Sequence, residues 1–585
     1  MTLQQAKELH SKKINKIEKI KEIKTPFQSL EDLKNGKIEK EDRDFFLKAF
    51  GCFYKKNSND YMIRVRIKDG SITPIQANKI GEIAEVYGND YIDLTTRSQI
   101  EFRYIKEENL YKVLTELESV GITTYQTGVD NFRGIITDPM ANISVSSFLD
   151  DTSLRSRLEN EFLGKDIATL PRKFNMGICG NIKNTSNVFT QDLGFALAKT
   201  HIEYGYRVFM GGRVGMIGMD SGIFVNEDEA VLLFRGIKEL FTKYGFKDNR
   251  NKNRFVFLLK EVGIDNFIMA LEEHLNYTFK KESELLTQTE INYSLIEPLN
   301  NGKKAYKFIV PSGIFSGSKM RETSKLAQKY NGIIKLTFDQ NFYITNADES
   351  IKDETLYKQY SPSTYLNNLI ACAGTKTCSF AVIENKNDAI NLAKKLDSLV
   401  PKNGAIKFHW SACVKGCGIH GVGDFGFEGA KVKIDGKTTE GVHIFIGGNS
   451  RKEGKKVLSV PLDRLENYII PMMKLYDDSM TYEKWFNKSN ISEWAVAFIM
   501  KFNANYFEFL PNLPMKANKI EMFEIKELGN KLFYQVSKTH AFNELFSNEK
   551  IKTLKSMGYK DDIHKIIDKM VSGEYVVWSE VLSEI

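Results

Sequence analysis

The chain is poor in cysteine, has no long apolar run and carries no dinucleotide-binding signature. Six cysteines in 585 residues are too few for a disulfide scaffold. Four of them are clustered, which points to a reducing compartment and to metal or redox chemistry. The most apolar windows, such as ISEWAVAFIM (491–500), fall well short of the ~18 residues of a membrane span, so no membrane association is expected. The first 25 residues hold seven lysines and no apolar h-region, so no secretory signal is read there. A cytoplasmic chain is the expectation. No G-x-G-x-x-G follows a strand-like run, which excludes a nicotinamide or flavin domain of that type within the chain. No nucleic-acid reader motif accompanies the net charge of +7, and nucleic acid is not an expected partner. That charge reads as lysine-rich solvated helices, or as a basic face for an acidic protein or an arginine-lined pocket for anions.

What is present is a cysteine set in the second half. Cys372 and Cys378 lie in ACAGTKTC, and Cys413 and Cys417 in SACVKGCG. Four thiolates from two loops make a soft, all-sulfur site that suits an iron–sulfur cluster or zinc. Structural zinc favours C-x2-4-C knuckles, so the C-x5-C gap counts against it.

The chain also repeats itself. DGSIT (69–73) leading to AEVYGNDYIDLTTRSQIEF (84–102) matches SGIFS (312–316) leading to AQKYNGIIKLTFDQNFYI (327–344). KFNMGICG (173–180) matches KFHWSACV (407–414), which sets Cys179 opposite Cys413, and YRVFMGGR (206–213) matches VHIFIGGN (442–449). Three pairs in one order at nearly one offset predict duplicated α+β modules about a pseudo-twofold axis. The Gly-Gly of the third pair, Gly211-Gly212 in the first copy, marks a backbone that turns or approaches something closely.

The first half supplies arginines where the second supplies cysteines. Arg64 and Arg66 alternate on YMIRVRI and so share a face. Arg97 ends LTTR, Arg133 lies in DNFRG, and Arg172 and Lys173 lie in LPRKFN. Guanidiniums collected at strand ends and turns fit a polyanion.

These motifs together resemble the siroheme-containing nitrite and sulfite reductases, from about residue 50 to 475. The resemblance implies that Cys372, Cys378, Cys413 and Cys417 ligate a [4Fe–4S] cluster and that Cys417 is also the axial siroheme ligand. It implies that Arg64, Arg133, Lys173 and Asn175 meet the substrate anion. Thr95, Thr96, Arg97, Arg172, Arg213, Arg250 and Arg254, with Gly211 and Gly212, would hold the siroheme and its carboxylates. The organisation it implies is a charged helical arm (1–45), a ferredoxin-like half-domain (46–145), a basic siroheme-binding domain (146–295), a second half-domain (296–354) and a cluster and siroheme domain (355–478). A helical C-terminal extension (479–585) follows.

The implied reaction is six-electron reduction of nitrite to ammonia. Electrons come from ferredoxin or flavodoxin docking on a basic face, and a monomer is expected. In this family sulfite-reducing members tend to carry K-x-K where this chain has Lys173-Phe174-Asn175, and one fewer cation favours singly charged nitrite over sulfite. Sulfite reduction is the alternative; a non-enzymatic zinc- and anion-binding protein is a more distant one. Two departures stand out. Val414-Lys415 replaces the family's Pro-Asn between the second cysteine pair, and Glu101 stands where glutamine is usual. Cys52 and Cys179 read as buried apolar residues.

Overall fold

In the computed structural model the described residues are 1–11, 29–55, 58–164, 170–213, 215–291, 294–402, 406–434, 437–466, 469–470, 473, 476, 478–479, 506–509, 523–528 and 531–536. The chain divides into two compact units, Met1–Pro362 and Ser363–Ile585.

The first unit contains two five-stranded sheets of the same design. One runs Cys52–Lys55, Asp60–Arg64, Ile100–Ile105, Ile92–Leu94 and Ile314–Phe315. The other runs Ile296–Pro298, Lys304–Phe308, Phe342–Ala347, Ile334–Leu336 and Ser71–Ile72. Each copy of the repeat therefore lends a two-residue strand to the sheet of the other: Ile314 pairs with Asp93, and Ile72 with Ile334. Short apolar strands that cannot complete a sheet locally are satisfied by exchange.

The helices Pro74–Tyr87 and Gly317–Lys329 pack where this exchange brings them together. A Cβ on Gly81 would lie 2.5 Å from the Gly317 carbonyl, and one on Gly317 2.5 Å from the Gly81 carbonyl. Only two glycines allow backbones to cross so closely. Local chemistry repeats as well. Gln99 Oε1 accepts the Ile67 N–H at 2.7 Å, and Asn341 Oδ1 accepts the Val310 N–H at 2.7 Å.

The third sheet of this unit orders Met219–Val225, Tyr204–Met210, Leu193–Lys199, Phe174–Cys179 and Phe132–Ile136. The last three strands are parallel and the first two antiparallel. One face is sealed by helices Asp151–Asn160, Glu227–Tyr244, Phe255–Val262 and Ile264–Leu275 over a phenylalanine core of Phe132, Phe174, Phe234, Phe241, Phe255 and Phe267.

The second unit repeats this pattern. Leu369–Ala371, Phe408–Ser411 and Phe425–Ile434 run parallel, and Lys437–Ile446 and Lys455–Pro461 continue antiparallel. Tyr506–Phe509, Phe523–Leu528 and Lys531–Val536 extend the same sheet. The expected helical extension is therefore strand wherever its residues are described beyond Ser479. Its runs YFEF and KLFYQV are rich in the aromatic residues that strands favour. SKTHAFNELF (537–546) and most of FLPNLPMK (509–516) lie outside the described residues, as do the arm lysines 12–24.

A hydrogen bond shared by both copies corrects one expected pairing. The Asn175 N–H donates to Asp192 Oδ2 and the Lys407 N–H to Asp424 Oδ2, each at 2.8 Å, an offset of 232 at both partners (407 − 175 and 424 − 192). Cys179 thus corresponds to Ser411, and Cys413 to Asn181. The Lys-Phe motif had suggested an offset of 234. A slip of two residues leaves every side chain on its own face, so the apolar pattern cannot detect it. The left-handed residues Asn187 (φ 49°) and Ile419 (φ 49°), also 232 apart, mark the same turn in both copies.

Candidate functional site

In the first unit the basic residues converge, because the strand ends and turns that carry them meet at one edge. Alternation along Phe174–Cys179 turns Phe174, Met176 and Ile178 into the phenylalanine core and aims Asn175 at the opposite face. Asn175 is buried, and its N–H donates to Asp192 Oδ2 at 2.8 Å. Lys173, just before the strand, donates its backbone N–H to Asp130 Oδ1 at 3.3 Å.

Arg64 ends its strand with Nε on Glu101 Oε1 at 2.9 Å and Nη1 on the Thr127 carbonyl at 3.1 Å. Arg133 donates from Nη1 to that same carbonyl and from Nη2 to the Val129 carbonyl. Its Nε is buried without a partner, as are both side-chain polar atoms of Asn131. Burial drives the Arg133 guanidinium well below its usual value; Arg64, Arg172 and Arg97 add repulsion, and Asp130 opposes them. Arg97 reaches Gln191 Oε1 at 2.9 Å and the Gly134 carbonyl at 2.5 Å. Burial pushes it down to about 9 against the pull of Asp192, with Arg254, Arg64 and Arg66 adding repulsion. Thr95 Oγ1 accepts the N–H groups of Arg97 and Gln99 at 3.3 and 3.2 Å, fixing the LTTR turn. Thr96 is half-buried beside it.

Three other candidate arginines carry carboxylate partners that sequence reasoning missed. Arg172 and Arg250 grip the two oxygens of Asp130, each at 2.7 Å. Burial raises the Asp130 carboxyl, but the two guanidiniums outweigh it and hold it below the usual carboxylate range. Arg254 donates from Nε to Asp192 Oδ1 at 3.0 Å. Arg213 lies 5.7 Å over the Phe257 ring. Arg66 does not join the group, although it shares the Arg64 face: Glu159 and the Tyr125 and Gln126 carbonyls bind it in a buried pocket. Gly212 is required by the protein itself, since a Cβ there would lie 2.4 Å from the Gln191 carbonyl. Gly211 turns with φ 79°, as Gly447 does with φ 72° in the second copy.

In the second unit the four candidate cysteines form no disulfide and lie in the loops that follow two parallel strands. Cys372 follows Leu369–Ala371, and its Sγ accepts the Ala412 N–H at 3.1 Å and the Asn385 amide at 3.7 Å. Burial pushes its thiol up, and Cys417, Cys378 and Cys413 push the same way against the Ala412 N–H. The Cys413 thiol is raised by burial and by Cys417 and Cys378. The four thiols thus lie within electrostatic reach of one another, a soft cage that suits an iron–sulfur cluster or zinc.

The C-x5-C loop owes its length to a turn. The Cys378 N–H returns to the Gly374 carbonyl at 2.9 Å, and Gly374 packs so tightly on Glu384 that a Cβ would fall 1.4 Å from its carbonyl oxygen. Beside Cys417, Gly418 is as confined, with a Cβ 1.7 Å from the Trp410 carbonyl. Cys52 and Cys179 are buried, and burial pushes the Cys179 thiol up to about 12.

The first unit shows what became of the same cage without cysteine. The shared hydrogen bond and the sheet register set Asp138 at the Cys372 position, Asn181 at that of Cys413 and Thr185 at that of Cys417. Asn181 and Thr185 each donate to Asp138 at 2.8 Å. Hydrogen bonds close this copy, so only the second unit offers a soft-metal site.

Comparison with known proteins agrees with this division. A model described as the nitrite/sulfite reductase ferredoxin-like half domain matches residues 54–120 and 297–355. One described as the nitrite and sulphite reductase 4Fe-4S domain matches 128–279. A ferredoxin–nitrite reductase of Synechococcus elongatus is 29% identical over 465 residues, 75% of this chain and 91% of the relative. The chloroplastic ferredoxin–nitrite reductase of Spinacia oleracea is 28% identical over 475 residues, 74% of this chain and 80% of the relative. The solved structure of the Mycobacterium tuberculosis NirA protein covers 82% of this chain and 97% of its own length, with a TM-score of 0.74 at 22% identity, a likeness of fold. The exchanged half-domains, the duplicated sheets and the relatives over about three-quarters of the chain lead to one assignment: the chain is an oxidoreductase of the nitrite reductase kind, similar to nitrite and sulfite reductases in its half-domains and its 4Fe-4S domain.

Proposed function

We propose that the protein reduces nitrite to ammonia, taking six electrons singly from ferredoxin or a similar small acidic protein. Siroheme and a [4Fe–4S] cluster are the cofactors of the family. The residues fit both groups. Four thiols that form no disulfide lie within electrostatic reach of one another, and N–H donors already point at Cys372 Sγ. Such donors stabilise cluster sulfur and raise its potential.

The observation that carries the reading is the half-buried, under-compensated positive charge of the first unit. Arg97 and Arg133 hydrogen-bond to neutral carbonyl and amide groups, and desolvation weakens their charged forms against the pull of Asp192 and Asp130. A desolvated cation bonded only to neutral groups is costly unless an anion is supplied. The carboxylates of an acidic tetrapyrrole and the substrate anion supply it.

When bound, siroheme provides the iron at which the anion is reduced, and the cluster feeds it electrons. The protein's part is charge and protons. Arg133 and Lys173 neutralise the anion, and with Arg64 they donate hydrogen bonds to its oxygens, which leave as water as each N–O bond breaks. Asn175 contributes an uncharged contact, and nitrite, with one charge, needs no second lysine. Arg97, Arg172, Arg213, Arg250 and Arg254, with Thr95 and Thr96, would hold the siroheme carboxylates, and Cys417 would offer its iron a thiolate. Iron analysis and visible absorption of protein made with siroheme synthesis intact test this reading. Soret and red bands with cluster iron are expected; a colourless zinc protein would overturn it.

A further inference from the structure

We propose that Glu101 sets both the aim and the effective charge of Arg64, and so biases the anion site towards a singly charged substrate. This deepens the proposed function and rests on reading Arg64 as part of the anion site. Glu101 faces Arg64 across two antiparallel strands. Its Oε1 receives Arg64 Nε at 2.9 Å and Nη2 at 2.8 Å. Its Oε2 receives Arg103 Nη2 at 2.6 Å, and Arg103 Nε donates to Asp93 Oδ2 at 2.7 Å. The Tyr91 hydroxyl closes the chain on Asp93 Oδ1 at 2.8 Å. Glu101, Arg103 and Asp93 are all buried. Two guanidiniums and two carboxylates sum to zero, so Arg64 offers an incoming anion directed N–H groups with its positive charge already matched.

The second copy of the repeat supports this independently. There Lys307 occupies the Arg64 position, and Tyr343 stands opposite it where Glu101 stands opposite Arg64. Lys307 is neutralised by Asp339 in a fully buried pair. Both copies cancel the cation on this strand; only the first leaves it half-exposed, with 34% of the Arg64 side chain accessible. A fixed charge near the site acts on a dianion twice as strongly as on a monoanion. Removing the Glu101 charge therefore favours sulfite, which is largely doubly charged above neutral pH, over nitrite.

The test is steady-state turnover of both anions by the siroheme-loaded enzyme above neutral pH, with reduced methyl viologen as electron source. Glu101→Gln keeps the acceptor oxygen on Arg64 and should raise the sulfite-to-nitrite ratio of kcat/KM roughly five- to tenfold. The change should fall on KM rather than kcat. Asp93→Asn, one residue further from Arg64, should move the ratio the same way by less, and it decides the matter if Glu101→Gln fails to fold. An unchanged ratio in loaded variants overturns the proposal. Arg64→Gln separates the two readings. A large loss with both anions, beside an unmoved ratio in Glu101→Gln, rejects the role of Glu101 alone. Undiminished turnover in Arg64→Gln rejects the anion-site assignment and the proposal with it.

Discussion

Arg64 and Arg133 share one acceptor, the backbone carbonyl of Thr127. They stand 69 residues apart in sequence (133 − 64), on a strand end and on the edge strand of a different sheet, and a single oxygen fixes their spacing. Two guanidiniums repel at this range, and the carbonyl holds both without adding a charge of its own. Glu101 already matches the Arg64 charge, so Arg64 brings directed N–H groups to the pair.

Arg133→Ala removes a guanidinium placed to meet the substrate anion. The expected loss in kcat/KM for nitrite is about 10²–10³-fold, the magnitude typical of a donor aimed at developing charge. Siroheme and iron content should be unchanged. The loss is read from initial rates with reduced methyl viologen, and undiminished turnover would contradict the assignment of Arg133.

Asn175→Lys adds a second cation two residues after Lys173, on the face away from the phenylalanine core. Sulfite turnover should rise at the expense of nitrite, seen as a shift in the ratio of their kcat/KM values. Equal changes for both anions would show that Asn175 does not discriminate.

Cys372→Ser replaces the sulfur that accepts the Ala412 N–H with a hard oxygen ligand. Iron content should fall by the cluster's share, and the siroheme bands should weaken. Iron analysis beside the absorption spectrum checks this. The same substitution at Cys179, which is buried outside the cage, should leave both unchanged.

Asp130 gives a pH dependence. Its carboxyl is held below the usual range by Arg172 and Arg250 once burial is outweighed. A lowered folded pKa means that the unfolded state binds the proton more readily, so the Asp130 contribution is complete above the unfolded value of about 3.9 and is lost as pH falls towards the lower folded one. Asp130→Asn should therefore unfold more easily than the parent at neutral pH, with the difference closing as pH falls below ~4. Urea midpoints measured from pH 7 downwards follow this. A difference that grows on acidification would contradict it.

Much of this was legible in the sequence, and what escaped follows a pattern. The duplication could be read because glycine turns and strand alternation survive in both copies, down to Gly211 and Gly447. The cysteine set could be read because its four residues are confined to two short loops. The exchanged strands Ser71–Ile72 and Ile314–Phe315 were invisible, since two residues carry no period and their partners lie more than 200 residues away. The true alignment of Cys413 with Asn181 was hidden by a two-residue slip that changes no face. The carboxylates of Asp130 and Asp192, and the pairing of Glu101 with Arg64, were missed because an ion pair is a meeting in space, and nothing beside a carboxylate in the chain names its arginine. The basic residues of the first unit do lie near one another, but Arg64, Arg172, Arg250 and Arg254 arrive with carboxylate partners that temper their charge.

One measurement bears most directly on the proposed reaction: ammonium formed per electron drawn from reduced methyl viologen, with nitrite and sulfite compared on the same loaded enzyme. One ammonium for every six electrons, and a kcat/KM for nitrite well above that for sulfite, is the expected result. Sulfide from sulfite as the far faster reaction, with little ammonium from nitrite, would contradict it.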